Sequence, residues 1–285
     1  MTISKNSEIL FLYDAKLANP NGDMDDENKP RMDYDTNTNL VSDVRLKRYL
    51  RDYFEQKKDE PIFVTEKAED AKDRAKQLKK EDMEHTDLID VRLFGAVYAR
   101  SGGNDHVTGP VQFNWGYSLN PVELNESSTI TSSFSSGEGV GHDYRVKYSL
   151  IAFNGTINAN VAEDSNLEED DIELFDEAMI KSIPFNKTRS KTGQNPRLYI
   201  RVELEDNDTI LKDLREYISL DYSTDTEYKV RSVKDFTVDL SELADYLEDF
   251  VNSINEIKIW KDDNLQIKNQ DGFINKLGEN TFNWL

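Results

Sequence analysis

Near the start of the chain, residues 19–31 read NPNGDMDDENKPR and hold the densest set of groups that could do chemistry. Asp23, Asp25, Asp26 and Glu27 would suit a divalent metal that activates water or a ribose hydroxyl for RNA cleavage. A second reading of the same residues needs no catalysis. Asn19, Asn21 and Gly22 make a tight turn whose backbone N–H groups approach a phosphate or a base, and Arg31 neutralises charge. A solvated surface turn is the third. Asn21, Asp23 and Asp25 imitate the opening of a calcium loop, but that loop needs glycine and glutamate where the chain has Asp26 and Met32.

Elsewhere the catalytic templates fail. There is no GxxxxGK followed by Ser or Thr, no HExxH and no GxSxG, and Gly137, Gly139 and Gly141 give only GxGxG. The absence of cysteine excludes disulfides, thiolate metal sites, iron–sulfur clusters and cysteine nucleophiles. His85, His106 and His142 are scattered without metal-ligand spacing. No cofactor is called for.

The elements that would position these groups follow from periodicity. Residues 8–14 (EILFLYD) read as a buried strand, ended by an acid and then by the turn. Ser42 suits the N-cap of a helix in which Leu46, Tyr49, Leu50 and Tyr53 share a face. At about 100° per residue, Arg45, Lys47, Arg48 and Arg51 fall on the opposite arc. That helix is expected to pack by its aromatics and to show its cations to water or to a phosphate chain.

Residues 66–85 read as a charged helix that projects as an insertion, and 90–99 (DVRLFGAVYA) as an apolar helix lying against a sheet. The stretch 109–122 (GPVQFNWGYSLNPV) alternates, with Val111, Phe113 and Trp115 on one face. From 129 to 153, two alternating runs flank SSGEGVGHD, a β-ribbon with a glycine-rich tip. A helix at 167–183 turns Ile172, Phe175 and Met179 inward, and a basic loop leads to a strand at 197–204. Asp239 and Glu242 form a capping box before Leu243, Leu247, Phe250, Val251 and Ile254, which read as one C-terminal helix. The mixed order predicts an α+β sheet with helices on one face, decorated by insertions.

Over 285 residues, 35 Lys and Arg stand against 56 Asp and Glu, a net charge of −21 that on average opposes contact with phosphates. The acids crowd into blocks such as 163–171, whereas 181–201 holds Lys181, Lys187, Arg189, Lys191, Arg197 and Arg201 without a carboxylate between them. A basic face is expected to survive. The cationic helix, the basic loop and the ribbon together suit a groove that follows a single-stranded RNA backbone. Phe113 and Trp115 suit a core better than a stacking platform. No run nears the length of a membrane span and neither end carries a secretion or lipidation signal, so the chain is expected in the cytoplasm.

Four linked motifs resemble one family. NPNGDMD…PRMD…T…LVSDVRLKRYLRDYF (19–54), DVRLFGAVYA (90–99), GPVQFNWGYSLNPV (109–122) and GHDYRVKYSLIAFNG (141–155) occur in the order and spacing of the CRISPR-associated backbone subunit of type I Cascade complexes. The likeness is greatest to the I-B branch, with the I-C branch next, and it covers about the first two thirds of the chain. From about Leu204 no motif matches. The resemblance implies a single domain over 1–285: an RRM-like (ferredoxin-like) palm, a helical finger-like insertion at 55–90 and a β-ribbon thumb at 129–150.

It further implies a non-catalytic subunit of antiviral defence. Copies polymerise along CRISPR RNA (crRNA) as a helical filament, beside the large, small and crRNA 5′-end-capping subunits. Each thumb displaces a base and leaves the others to pair with target DNA, so guide pairing reads the sequence and the protein needs only sequence-independent grip. Carried onto this chain, the family's RNA-contacting helix falls on Ser42, Arg45, Lys47 and Arg48, and its thumb tip on Gly137, Gly139 and Gly141. Lys187, Arg189 and Lys191 join them from charge alone. The pattern NPNGDMD follows the non-catalytic type I loop. A related type III subunit cleaves RNA with a loop aspartate and a metal, which keeps a metal-dependent endoribonuclease built on Asp23 as the alternative.

Overall fold

The computed structural model describes residues 1–100, 103–131 and 140–285. The early apolar run becomes β1 (Ser7–Ala18), exposed only at Lys16 and Leu17. Two small hairpins follow, β2 (Gly22–Asp23) with β3 (Lys29–Pro30), then β4 (Met32–Asp33) with β5 (Thr38–Val41). Ser42 caps α1 (Asp43–Lys57), its Oγ accepting from the Arg45 N–H. After α2 (Ala71–Glu81) and α3 (Ile89–Phe94), β6 (Gly95–Arg100) pairs with β7 (Gly103–Thr108).

Next come β8 (Val111–Phe113), β9 (Gly116–Ser118) and a ribbon of β10 (Thr129–Thr131) with β11 (Val140–His142). The long β12 (Val146–Ile157) leads through α4 (Ala162–Ser165) and α5 (Glu169–Phe185) to β13 (Gln194–Leu204). The last third adds β14 (Ser219–Tyr222), β15 (Phe236–Asp239), α6 (Ser241–Glu248), β16 (Ile254–Lys261), β17 (Ile267–Lys268), α7 (Gln270–Leu277) and β18 (Phe282–Trp284).

Among the described residues the main sheet runs β18-β16-β13-β1-β12-β9-β5-β4, with β8 also paired to β12. Central β1 is antiparallel to both neighbours, Phe11 lying opposite Phe153 on one side and Tyr199 on the other. Its side chains alternate between two cores. Ile9, Phe11 and Tyr13 pack with Tyr49, Leu50 and Phe54 of α1 and Phe175 and Met179 of α5. Leu10 and Leu12 pack with Leu214, Phe236, Leu243, Leu247 and Phe273 of the last third. The result is a mixed α/β architecture with both faces covered, which corrects the one-faced sheet. A strand apolar on both sides needs a cover on both.

Three local expectations are also corrected. The helix expected over 90–99 stops at Phe94, because Gly95 takes φ 75° and a Cβ there would lie 2.2 Å from the Val107 carbonyl oxygen. Only glycine fits that turn, and Val97 and Tyr98 continue as strand. The alternating run at 109–122 breaks after Phe113, leaving Trp115 48% exposed. The C-terminal helix is shorter than its periodicity predicts. Asp239 belongs to β15, where its carboxylate accepts from the Ser241 N–H at 2.9 Å and pairs with Lys268, and Ile254 begins β16 opposite Leu204.

Folding also rejoins charges that the sequence segregates. Arg201 is buried against Asp176 at 3.0 Å, and Arg197 pairs with Asp14 at 2.8 Å and Asp262 at 2.6 Å. These two cations belong to the structure of β13 and not to an open basic face.

A buried acid makes stability depend on pH. Glu8 accepts from Asn154 Nδ2 at 2.7 Å, and burial, with Asp213 nearby, pushes its carboxyl up to about 7 from 4.5. Between those values the folded chain keeps a proton that the unfolded chain has released. This contribution is therefore complete below 4.5 and lost as pH rises through about 7. Glu8→Gln keeps the acceptor, so it is expected to exceed the parent by about 2–3 kcal/mol near pH 8 and to match it near pH 4. Urea denaturation at both values checks this, and equal stability near pH 8 would contradict it.

Candidate nucleic-acid interface

The carboxylate loop is a hairpin, with Gly22 opposite Pro30 and Asp23 opposite Lys29. A Cβ on Gly22 would meet Asn28 Oδ1 at 1.9 Å, so any side chain there has to displace the Asn28 amide. Asp23 and Asp26 are answered by cations of the same loop. Arg31 Nη1 donates to Asp23 Oδ2 at 2.9 Å, the Asp25 N–H to Asp23 Oδ1 at 3.2 Å, and Lys29 Nζ to Asp26 Oδ1 at 2.6 Å. Among the described residues no group of three or more His, Asp or Glu side chains converges to hold a metal. Arg31 also lies 5.9 Å above the Trp115 ring, so its charge is shared between an acid and an aromatic face.

The preceding turn is fastened on two sides. Asn21 Oδ1 accepts from both the backbone N–H and the hydroxyl of Ser42, at 2.8 and 2.9 Å. The same hydroxyl accepts from the Arg45 N–H, so turn and helix cap form one hydrogen-bonded unit. On the other side the Asn19 N–H donates to Ser190 O at 2.8 Å, and Lys191 Nζ donates to Asn19 O at 2.6 Å and Pro20 O at 3.2 Å. Burial, and Arg45 beside it, pull the Lys191 ammonium down to about 7. Lys191 thus props the turn from beneath.

The cations of α1 do not form the open row that the helical arc predicts. Lys47 is buried between Asp43 at 3.1 Å and Gln112 Oε1 at 3.3 Å. Arg48 donates to Asp52 at 2.7 Å and to Val64 O at 2.9 Å. Arg51 meets Asp90 at 2.7 Å, whose other oxygen accepts the Phe63 N–H at 2.6 Å. The reason is that α1 is covered on both flanks, by α5 on one and by α3 and residues 61–65 on the other. Arg45 stacks 3.9 Å over Tyr49, and its Nε is buried without a hydrogen-bond partner. Val44, at the exposed start of the helix, leaves the positive end of its dipole accessible.

The ribbon is seated on this assembly. Gly141 pairs opposite Ile130, while Gly137 and Gly139 lie outside the described residues. Two residues that sequence reasoning did not single out anchor its base. Arg145 donates to Leu17 O at 2.8 Å and Arg189 O at 3.2 Å while pairing with Asp143 at 2.8 Å. Tyr144 OH donates to Glu27 Oε2 at 2.9 Å, joining ribbon to carboxylate loop. Lys187 and Arg189 are exposed, the latter 3.3 Å from Asp143. The structure therefore brings together Asn19, Asn21, Gly22, Arg31, Ser42, Arg45, Arg189 and Lys191. Lys47 and Arg48 sit behind that surface. Beyond its neighbour Asp143, nothing in the local pattern marks Arg145 as an anchor, because its backbone acceptors, Leu17 O and Arg189 O, come from distant segments.

Comparison with known proteins gives a consistent result. A family model described as CRISPR-associated protein Cas7 matches residues 5–241. A protein of Haloferax volcanii described as CRISPR-associated protein Cas7 is 34% identical over 308 aligned residues, covering 94% of this chain and 90% of its own. Chains from two solved structures share the fold. One, from a CRISPR RNA-guided surveillance complex, has a TM-score of 0.55 at 16% identity and covers 96% of this chain and 93% of its own. The other, from such a complex described as pre-nicking, has a TM-score of 0.54 at 14% identity, with 95% and 99% covered.

Proposed function

Because the chain belongs to the family of CRISPR-associated protein Cas7, we propose that it is a non-catalytic backbone subunit of a type I CRISPR Cascade complex, of the I-B branch, working in the cytoplasm in antiviral defence. Copies of it line up along crRNA as a helical filament with the large, small and 5′-end-capping subunits, and they hold the guide open for pairing with target DNA.

The observation that carries this reading is the double acceptance by Asn21 Oδ1 from Ser42, which makes turn and helix N-terminus one rigid wall. A helix N-terminus beside a turn rich in backbone N–H groups suits a phosphate chain without reading its sequence. Asn19, Asn21, Gly22, Arg31, Ser42 and Arg45 form that wall, and Lys187 and Arg189 continue it. Gly137, Gly139 and Gly141 belong to the tip of a thumb at 129–150 that closes over the strand. Lys47, Arg48 and Lys191 hold the wall from behind. The palm is RRM-like, built on β1, β12 and β13 with α1 and α5, and residues 55–90 are its finger. Asp23, paired with Arg31, shapes the loop and carries no catalysis.

Purified from a host that expresses its own CRISPR array, the protein is expected to carry RNA of a discrete length, visible as a raised A260/A280 ratio and intact after Mg²⁺ is added. Absence of RNA, or Mg²⁺-dependent cleavage that disappears in Asp23→Ala, would overturn the proposal.

A further inference from the structure

We propose that the outer edge of β18 and the cavity beside it form a docking site for an extended segment of a different protein, which adds as a strand and turns a lysine or arginine side chain over Trp260 towards Glu173. The site shares no residue with the groove described above. Its place follows from how α5 covers the sheet. Ile172, Phe175 and Met179 pack the helix over β1 and β13. On its outer side a cavity of ≈ 450 Å³ opens towards the last two strands, lined by Glu173, Glu177 and Ile180 of α5, Trp260 of β16 and Asn283 of β18.

The strand edge is open. Among the described residues β18 ends the main sheet and pairs only with β16. The Leu285 N–H donates to Ile259 O at 3.0 Å. By the alternation of a strand, the backbone groups of Phe282 and Trp284 point the other way, to the free side. Such an edge is a template for an added strand, and a neighbouring pocket then selects a side chain. Because β16 gives Ile257 and Ile259 to the second core, Lys258 and Trp260 face α5, and Trp260 is only partly buried there.

Charge decides what the segment carries. Both cations at the cavity are already answered, Lys181 by Glu177 at 2.9 Å and Lys258 by Asp176 at 3.5 Å. Glu177 also accepts from Lys58 at 2.7 Å and from Tyr53 at 2.9 Å. Glu173 is exposed and enters no ion pair among the described residues. One turn before it on α5, Glu169 is exposed and unpaired too, so two like charges stand at i and i+4 and repel. A cation relieves that repulsion. An apolar stem that ends in positive charge matches a lining of Ile180 and Trp260 with Glu173 at its rim.

The probe is an end-capped peptide of about nine residues, alternating valine and threonine around one central lysine, beside a counterpart with glutamate in that place. Calorimetric titration is expected to show the parent binding the lysine peptide about fivefold more tightly than the glutamate one. Glu173→Gln is expected to remove that preference. Asp170→Asn, which takes the same charge from a neighbouring exposed position, is expected to keep it. Both alter exposed side chains and should melt with the parent. Trp284→Pro removes an outward N–H and leaves the bonds to β16 in place, so both peptides are expected to bind it about fivefold more weakly. Failure of the parent to bind, or a lysine preference that survives Glu173→Gln, would overturn the site. Parental affinity in Trp284→Pro would overturn the added strand. Self-association of the RNA-free parent that Trp284→Pro abolishes would give the edge to a second copy of this chain and overturn the assignment to a different protein.

Discussion

Asn21→Ala is expected to weaken RNA binding by about tenfold or more and to lower stability by about 1–2 kcal/mol. Asn21 Oδ1 is the one atom that accepts from both the N–H and the hydroxyl of Ser42, so its removal strands two donors at the helix cap and releases the turn from α1. The turn would still be held by Lys191 and Ser190 on its other side. It would lose its register against the helix without unfolding. Asn21→Asp separates the two consequences. Its carboxylate accepts the same hydrogen bonds at the positive end of the helix, which restores stability, but it sets a negative charge where a phosphate is to lie. Stability should recover and RNA affinity should not. If Asn21→Ala bound RNA with parental affinity and salt slope, the turn would not be part of the groove.

Asp176→Ala is expected to cost about 3–5 kcal/mol of stability, among the largest single effects available in the chain. Asp176 accepts from Arg201 Nε and Nη2 at 3.0 Å each and from Tyr199 OH at 2.5 Å. Lys258 lies 3.5 Å away. Arg201 is 2% exposed, and with the acid gone the remaining link to Glu203 answers only one of its nitrogens. Because Asp176 lies on α5 and Arg201 on β13, the loss would loosen the helix that supports α1 from behind. Urea denaturation measures it directly, and a loss below about 1 kcal/mol would mean that the pair contributes little to holding α5 on the sheet.

The signals that proved legible are local ones. Ser42 and the spacing of Leu46, Tyr49, Leu50 and Tyr53 identify α1, its cap and its buried face, because capping and helical period are decided within a few residues. The turn at 19–22 is legible for the same reason. Pairing across the chain is not. Arg51 looks like a solvent cation until Asp90 is brought to it, Arg48 until the Val64 carbonyl is, and Lys191 until it folds under Asn19. The sequence separates 181–201 from carboxylates, and the fold returns Asp14, Asp176 and Asp262 to it.

Where local signals misled, a long-range contact outweighed them. Gly95 ends a helix that its neighbours would continue, since β6 must turn back on β7. Ile254 keeps helical spacing with Leu247 and yet pairs with Leu204 in the sheet. The motifs end near Leu204, yet the family model reaches residue 241; the last third covers the second face of β1, where many apolar sequences would serve and few residues stand out.

On the proposed function, copies of this chain grip a guide RNA at regular intervals without reading it. The direct measurement is nuclease footprinting of RNA bound to the assembled protein, repeated with guides of unrelated sequence. Protection at one constant spacing, unchanged between guides and leaving the RNA uncut in Mg²⁺, is the predicted result. Protection confined to particular sequences, or none beyond a single site, would contradict it.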